Sequence, residues 1–156
     1  MKKSFVLAAL LPLAVAAQDI KKELNAELRT QVEFPATVPA GNYSGITWLG
    51  GNEYAVVCDK AKSDGFFIFH INIDPDTGVI SHAYSNEFRS SGYANRDMEG
   101  IAFLPKDTTI FISGEADNHI REYKLKTGKH TGRELNVPDS LSISAPNYGF
   151  ESLTYN

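Results

Sequence analysis

Ser44-Gly45-Ile46-Thr47-Trp48-Leu49 and Glu99-Gly100-Ile101-Ala102-Phe103-Leu104 are two versions of one phrase: a small or acidic residue, a glycine, then an apolar run. A third version, Glu151-Ser152-Leu153-Thr154-Tyr155, follows at the end of the sequence. The offsets are 55 residues (45 to 100) and 52 (100 to 152). After each of the first two phrases the same strand signals recur, rich in β-branched and aromatic residues and separated by Gly, Asn and Asp clusters. Second strands are expected at Tyr54 to Cys58 and Thr109 to Ser113, third strands at Phe66 to Ile73 and His119 to Leu125. Each third strand runs into a Thr-Gly pair, 77-78 and 127-128, where glycine supplies the positive φ of a tight hairpin. Fourth strands follow, Val79 to Phe88 and Thr131 to Val137.

Four antiparallel strands recurring at this period predict an all-β chain organised as a partial β-propeller of four-stranded antiparallel blades. Blade one covers about 43–92, blade two about 97–140, and 147–156 is the first strand of a third. An ordinary sandwich with similar hairpins also fits the strand spacing. Propellers close with about four to eight blades. Two blades and a fraction therefore read as a fragment of a longer domain, whose exposed strand edge would promote self-association.

Residues 1–17 have a different character. Lys2 and Lys3 precede an apolar run from Phe5 to Ala17, interrupted by Pro12 and ending in small residues. That order predicts a secretory signal peptide cleaved after Ala16 or Ala17; a buried N-terminal helix is the alternative. The run is too short to span a bilayer, so no membrane insertion is expected after cleavage. The expected address is secreted or periplasmic. Residues 18–42 form a lead-in with weak patterning.

The 156 residues carry 15 Lys+Arg and 19 Asp+Glu, a net charge of −4. Without Lys2 and Lys3 the balance over 18–156 is 13 against 19, or −6. An acidic chain lacks the basic footprint that grips phosphate backbones, so nucleic acid is not an expected partner. Cys58 stands alone, which excludes an internal disulfide framework and zinc sites built on thiolate pairs.

The repeat also organises the acids. Arg96-Asp97-Met98-Glu99-Gly100 and Asn147-Tyr148-Gly149-Phe150-Glu151 both place a glutamate at the entry to a first strand, and Asp59 and Glu115 stand at the exits of the two second strands. In a propeller, equivalent first-strand residues point toward one axis. Converging carboxylates repel unless a cation or a basic side chain compensates them. Oxygen-rich, thiol-free clusters suit hard cations, calcium first and magnesium second. The alternative is structural: such a carboxylate also accepts neighbouring N–H groups, and an aspartate forms turns.

No Gly-x-Ser-x-Gly elbow is present, and Ser113 has no evident base, so serine nucleophile chemistry finds no support. His70, His82 and His130 lack ligand spacing. Asp74-Pro75-Asp76-Thr77-Gly78 has part of a calcium-loop pattern, but a hairpin turn explains it. Trp48, Phe66, Phe67, Phe69, Phe103, Phe111 and Tyr123 read as packing between blades. Tyr93 and Tyr148 are loop aromatics suited to stacking on a sugar.

Asp97-Met98-Glu99-Gly100-Ile101-Ala102, Ser113-Gly114-Glu115 followed by His119-Ile120, Val137-Pro138, and Asn147-Tyr148-Gly149-Phe150-Glu151-Ser152-Leu153 together resemble the phytase-like propeller family, called esterase-like activity of phytase. The resemblance runs from about residue 42 to 156. It implies an exported propeller that hydrolyses phosphoric or other small-molecule esters, with metal dependence. Asp97, Glu99, Glu115 and Glu151 match the family's acids and are the expected metal ligands, with Glu99 and Glu151 also catalytic. Ser44 stands where the first unit would carry a carboxylate. Arg96 and His119 are the expected substrate-binding residues, by bidentate and charged hydrogen bonds to phosphate. The rival expectations are a non-catalytic module binding a protein or glycan, and an inactive truncated product.

Overall fold

A computed structural model describes residues 31–141 and 149–155. The expected signal peptide, the lead-in up to residue 30, and Asn147 and Tyr148 lie outside the described residues. The architecture is all-β, as the pattern of short strands requires. Eight strands form two four-stranded antiparallel sheets. The first contains β1 (Tyr43–Gly50), β2 (Glu53–Cys58), β3 (Gly65–Ile73) and β4 (Ile80–Ser90). The second contains β5 (Met98–Leu104), β6 (Thr109–Gly114), β7 (His119–Lys124) and β8 (His130–Leu135). In each sheet the spatial order equals the chain order. Among the described residues there is no α-helix, only a 3-10 turn at Asp139–Leu141.

The two Thr-Gly turns behave as their sequence demands. Gly78 and Gly128 have φ of 70° and 68°, in the left-handed region that favours glycine. Their N–H groups donate to the carbonyls of Asp74 (2.8 Å) and Lys124 (2.9 Å). Asp74 Oδ1 accepts the N–H groups of Asp76 (3.1 Å) and Thr77 (2.7 Å) and the Thr77 hydroxyl (2.7 Å). That carboxylate closes a turn, and these bonds hold its pKa below the ordinary range, the Thr77 hydroxyl most of all.

The core is the layer between the sheets. Ala55, Val57, Phe66 and Ile68 of the first sheet and Met98, Ile101, Ile110, Ile112 and Tyr123 of the second form one buried cluster. Each large apolar side chain so buried contributes about 1.5–3 kcal/mol relative to exposure. A lone sheet would expose these chains. Docking therefore holds the fold more than any single hairpin does.

The sheets meet edge-first. β5 lies along β1 and β2. The Ser44 hydroxyl donates to the Met98 carbonyl (2.7 Å), and the Phe103 N–H donates to Thr47 Oγ1 (3.3 Å). The repeated glycines sit at these approaches. A Cβ on Gly45 would fall 2.5 Å from the Glu99 carbonyl oxygen, and one on Gly100 would fall 2.6 Å from the Leu153 nitrogen. The three look-alike phrases are thus lateral neighbours: the first against the second, the second against residues 151–155. Residues 149–155 have no regular strand structure; they touch β6 where Ser113 Oγ donates to the Phe150 carbonyl (3.3 Å).

The other face of the first sheet carries a ring cluster. Tyr43 lies edge-on to Phe67 (5.7 Å between centroids) and Phe69 (5.1 Å), and Phe67 is 4.7 Å from Phe88. Trp48, expected in the packing, is instead 61% exposed, its indole N–H donating to the Gly51 carbonyl (3.0 Å). The lead-in covers part of the β4 edge: Ser85 N–H donates to the Thr37 carbonyl (2.9 Å), and the Thr37 hydroxyl donates to the Ala83 carbonyl (2.5 Å).

Because the Gly100 clash is with backbone, it cannot be relieved by a rotamer change. Gly100→Ala should destabilise by about 1–3 kcal/mol in denaturant unfolding, whereas alanine at Gly51, which has open space around it, should lose only the smaller cost of its positive φ.

Candidate functional site

Several acids gather at one end of the sheets, where Cys58 closes β2 beside the start of β1 and Gly114 closes β6 beside the start of β5. Asp59 follows β2, Asp97 precedes β5, Glu99 sits within it, Glu115 follows β6, and Glu151 lies in the adjoining segment. The acids interact. Glu99 has its carboxyl pKa raised, first by burial and then by the negative charges of Asp59, Glu151 and Glu115, against a lowering hydrogen bond from Ser44. Three of the four expected acids, Glu99, Glu115 and Glu151, are therefore brought into electrostatic contact, with Asp59 as a fourth member.

Asp97 is held differently. Its backbone is left-handed, φ 50°, with the N–H donated to Asn95 Oδ1 (2.6 Å). Asn95 Nδ2 in turn donates to the carbonyls of Asp59 (2.7 Å) and Ala61 (2.6 Å), tying the two sheets together at this end. The Asp97 carboxylate faces Lys60, whose ammonium lies 3.3 Å from it and 2.5 Å from Asp59 Oδ1. Hydrogen bonds to Asp59 and then Asp97 raise the Lys60 pKa. A lysine thus compensates Asp59 and Asp97. Among the described residues no three His, Cys, Asp or Glu side chains are gathered closely enough to hold a metal ion. The acids as placed are not a ready-made cage.

Arg96 is interior, 5% exposed. Its Nη1 bonds Asp117 Oδ1 (2.8 Å) and the His119 carbonyl (3.2 Å), while Nη2 bonds the Tyr123 hydroxyl oxygen (3.0 Å) and the Ile112 carbonyl (3.3 Å). Nε reaches Asp64 Oδ1 at 3.5 Å. Asp64, 1% exposed, also accepts the Tyr123 hydroxyl (2.9 Å to Oδ2) and the Ser91 hydroxyl (2.7 Å). Burial, followed by the Asp64 charge, drives the Tyr123 pKa far up, so the phenol stays protonated as a donor. The guanidinium expected to grip a substrate phosphate is spent inside the protein, bridging Asp64 of the first sheet to Asp117 of the second. Asp64 and Asn95 were not anticipated as site-forming residues; Asp64-Gly65 ahead of a strand looks like an ordinary turn.

His119 is where an accessible residue should be, at the start of β7 with its side chain 52% exposed. Its Nδ1 lies 2.8 Å from Glu134 Oε2.

Against this geometry, the sequence model of the phytase-like family, described as esterase-like activity of phytase, matches residues 38–156. The chain belongs to the phytase-like family. No curated protein matches the chain significantly. Membership carries esterase-like activity as a family description; the residues that perform it in this phytase-like chain have to come from its own site.

Two outcomes follow from the charges. A Glu99 carboxyl with a raised pKa is penalised once ionised, so its native state is relatively less stable above that pKa and unaffected below the unfolded value. Glu99→Gln should therefore raise Tm at pH 7, with the gain vanishing below about pH 4. Arg96→Met leaves Asp64 buried without its cation and should lose about 3–5 kcal/mol in urea unfolding, with smaller loss when combined with Asp64→Asn.

Proposed function

We propose that the phytase-like chain is an exported ester hydrolase whose two sheets are consecutive blades of a β-propeller. The lateral sequence of Gly45, Gly100 and Ser152 supports the blade reading, since neighbouring first strands fan around an axis in that architecture. Export rests on the leader pattern of residues 1–17.

The observation that carries the chemistry is the partly buried Glu99 among Asp59, Glu115 and Glu151. A carboxyl that keeps its proton closer to neutrality can give that proton to a departing alcohol oxygen. Glu151 would take the complementary part and orient the attacking water. Lys60, mostly exposed beside Asp59 and Asp97, supplies positive charge where substrate oxygens would arrive. Phosphoric and carboxylic esters both present such oxygens.

Calcium, the expected cation, does not fit the acids as placed: among the described residues no three donors are gathered closely enough to hold an ion, and the roles given to Glu99 and Glu151 run without one.

The purified chain should hydrolyse p-nitrophenyl phosphate with saturable kinetics, and Glu99→Gln and Glu151→Gln should each lower kcat for it by about 10–100-fold. Phosphate-ester turnover indifferent to both substitutions would defeat the assignment.

A further inference from the structure

The interior network of Arg96 continues outward to a groove that the acid cluster does not use. Asp117, fixed by Arg96, also pairs with Arg121 (Nη2 to Oδ2, 3.0 Å). Arg121 Nε bonds Glu134 Oε1 (2.6 Å), and the other Glu134 oxygen meets His119 Nδ1 (2.8 Å). The result is an unbroken chain of alternating charge from Asp64 in the core to an imidazole at the surface. It ends beside a groove of about 370 Å³ lined by Asp117, His119, Glu134, Leu135, Val137 and Asp139, among others.

This chain fixes a tautomer. The bonds from His119 and then Arg121 depress the Glu134 pKa, so its carboxylate is ionised and only accepts. Nδ1 is therefore the donor, and in the neutral ring Nε2 holds the lone pair. A carboxylate holding Nδ1–H is the arrangement that makes an imidazole a general base at Nε2. The cross-strand register explains why it forms: Arg121 lies opposite Glu134 on β7 and β8, and His119 is two residues away on the same face.

The groove also selects. Asp117, Glu134 and Asp139 line it, and counting the supporting network there are four carboxylates, with Asp64, against the two guanidinium groups of Arg96 and Arg121. Such a field repels a phosphate dianion and tolerates an uncharged molecule. Leu135 and Val137 offer apolar contact for a short acyl or alkyl group.

We infer that His119, positioned by Glu134, is a general base for hydrolysis of small uncharged carboxylic esters in this groove. The inference rests on the ester-hydrolase reading above but places this reaction at a second centre. His119 Nε2 takes a proton from water while the water oxygen bonds to the ester carbonyl carbon. The bond from that carbon to the alcohol oxygen then breaks, and the imidazolium returns the proton to the departing alkoxide. One carboxylic acid and one alcohol leave, and His119 is restored.

The test uses the full chain with p-nitrophenyl butyrate and p-nitrophenyl phosphate. His119→Asn should lower kcat/KM for the butyrate by about 100-fold with an unchanged circular dichroism spectrum. Glu134→Gln should lower kcat by about 10-fold at similar KM, and 15N NMR should show His119 leaving the Nδ1–H tautomer in that variant. His119→Asn should lower butyrate turnover at least about 10-fold more than phosphate turnover. Saturable butyrate turnover that survives His119→Asn overturns this inference and leaves the Glu99 and Glu151 assignment standing. Phosphate turnover that falls as far as butyrate turnover overturns the substrate class. Absence of saturable turnover of either ester overturns both readings.

Discussion

The structure depends on one buried charge being answered. Asp64 lies almost wholly out of water between the sheets, and an unpaired carboxylate there would be prohibitive. Arg96 from the second sheet answers it together with the hydroxyls of Tyr123 and Ser91. Burial opposes the guanidinium charge, but Tyr123, Asp117 and Asp64 outweigh it and its pKa is raised. Apolar contacts between Phe66, Met98, Ile110 and their neighbours supply most of the association energy, but they tolerate sliding. The fork of Arg96, with partners fixed on both sides, gives the two sheets one relative placement. Asn95 repeats this stapling at the acidic end with two backbone carbonyls.

That placement turns a row of separate strand ends into a site. Glu99, Glu115 and Glu151 are far apart in the chain, and each is unremarkable at its own strand end. Their charges act on one another because the sheets are docked with β5 beside β1 and residues 149–155 beside β5. The energy of docking is thereby partly stored as repulsion among acids, which Lys60 relieves at Asp59 and Asp97.

The strands were legible from residues alone, because their signals are local. Alternation and the Thr-Gly turns located eight strands within a few residues, with β8 ending at Leu135 rather than Val137. The family was legible too, from the order of several short elements, and the match over 38–156 agrees. What could not be read was the burial of charged residues. Arg96 beside Asp97 looks like a surface loop cation, and only the docked sheets reveal that it is 5% exposed with its donors committed. Trp48 failed in the opposite sense: its strand position resembles that of Phe103, but β5 covers only one side of β1, and the indole projects from the other. His119 was identified as exposed chemistry, while its partner Glu134, fifteen residues on, emerges only from strand register.

Met98 has a consequence of another kind. Its thioether is fully enclosed at the junction of the sheets, where its sulfur accepts the Gly65 N–H at 3.3 Å. Peroxide can reach that sulfur only when the sheets part, so sulfoxide formation clocks their separation. The added oxygen would then enter a cavity with no space or solvent for it, and a molecule oxidised during one transient opening would be hindered from closing again. In an oxidising surrounding, the lifetime of the docked state would be written in the chemistry of a single side chain.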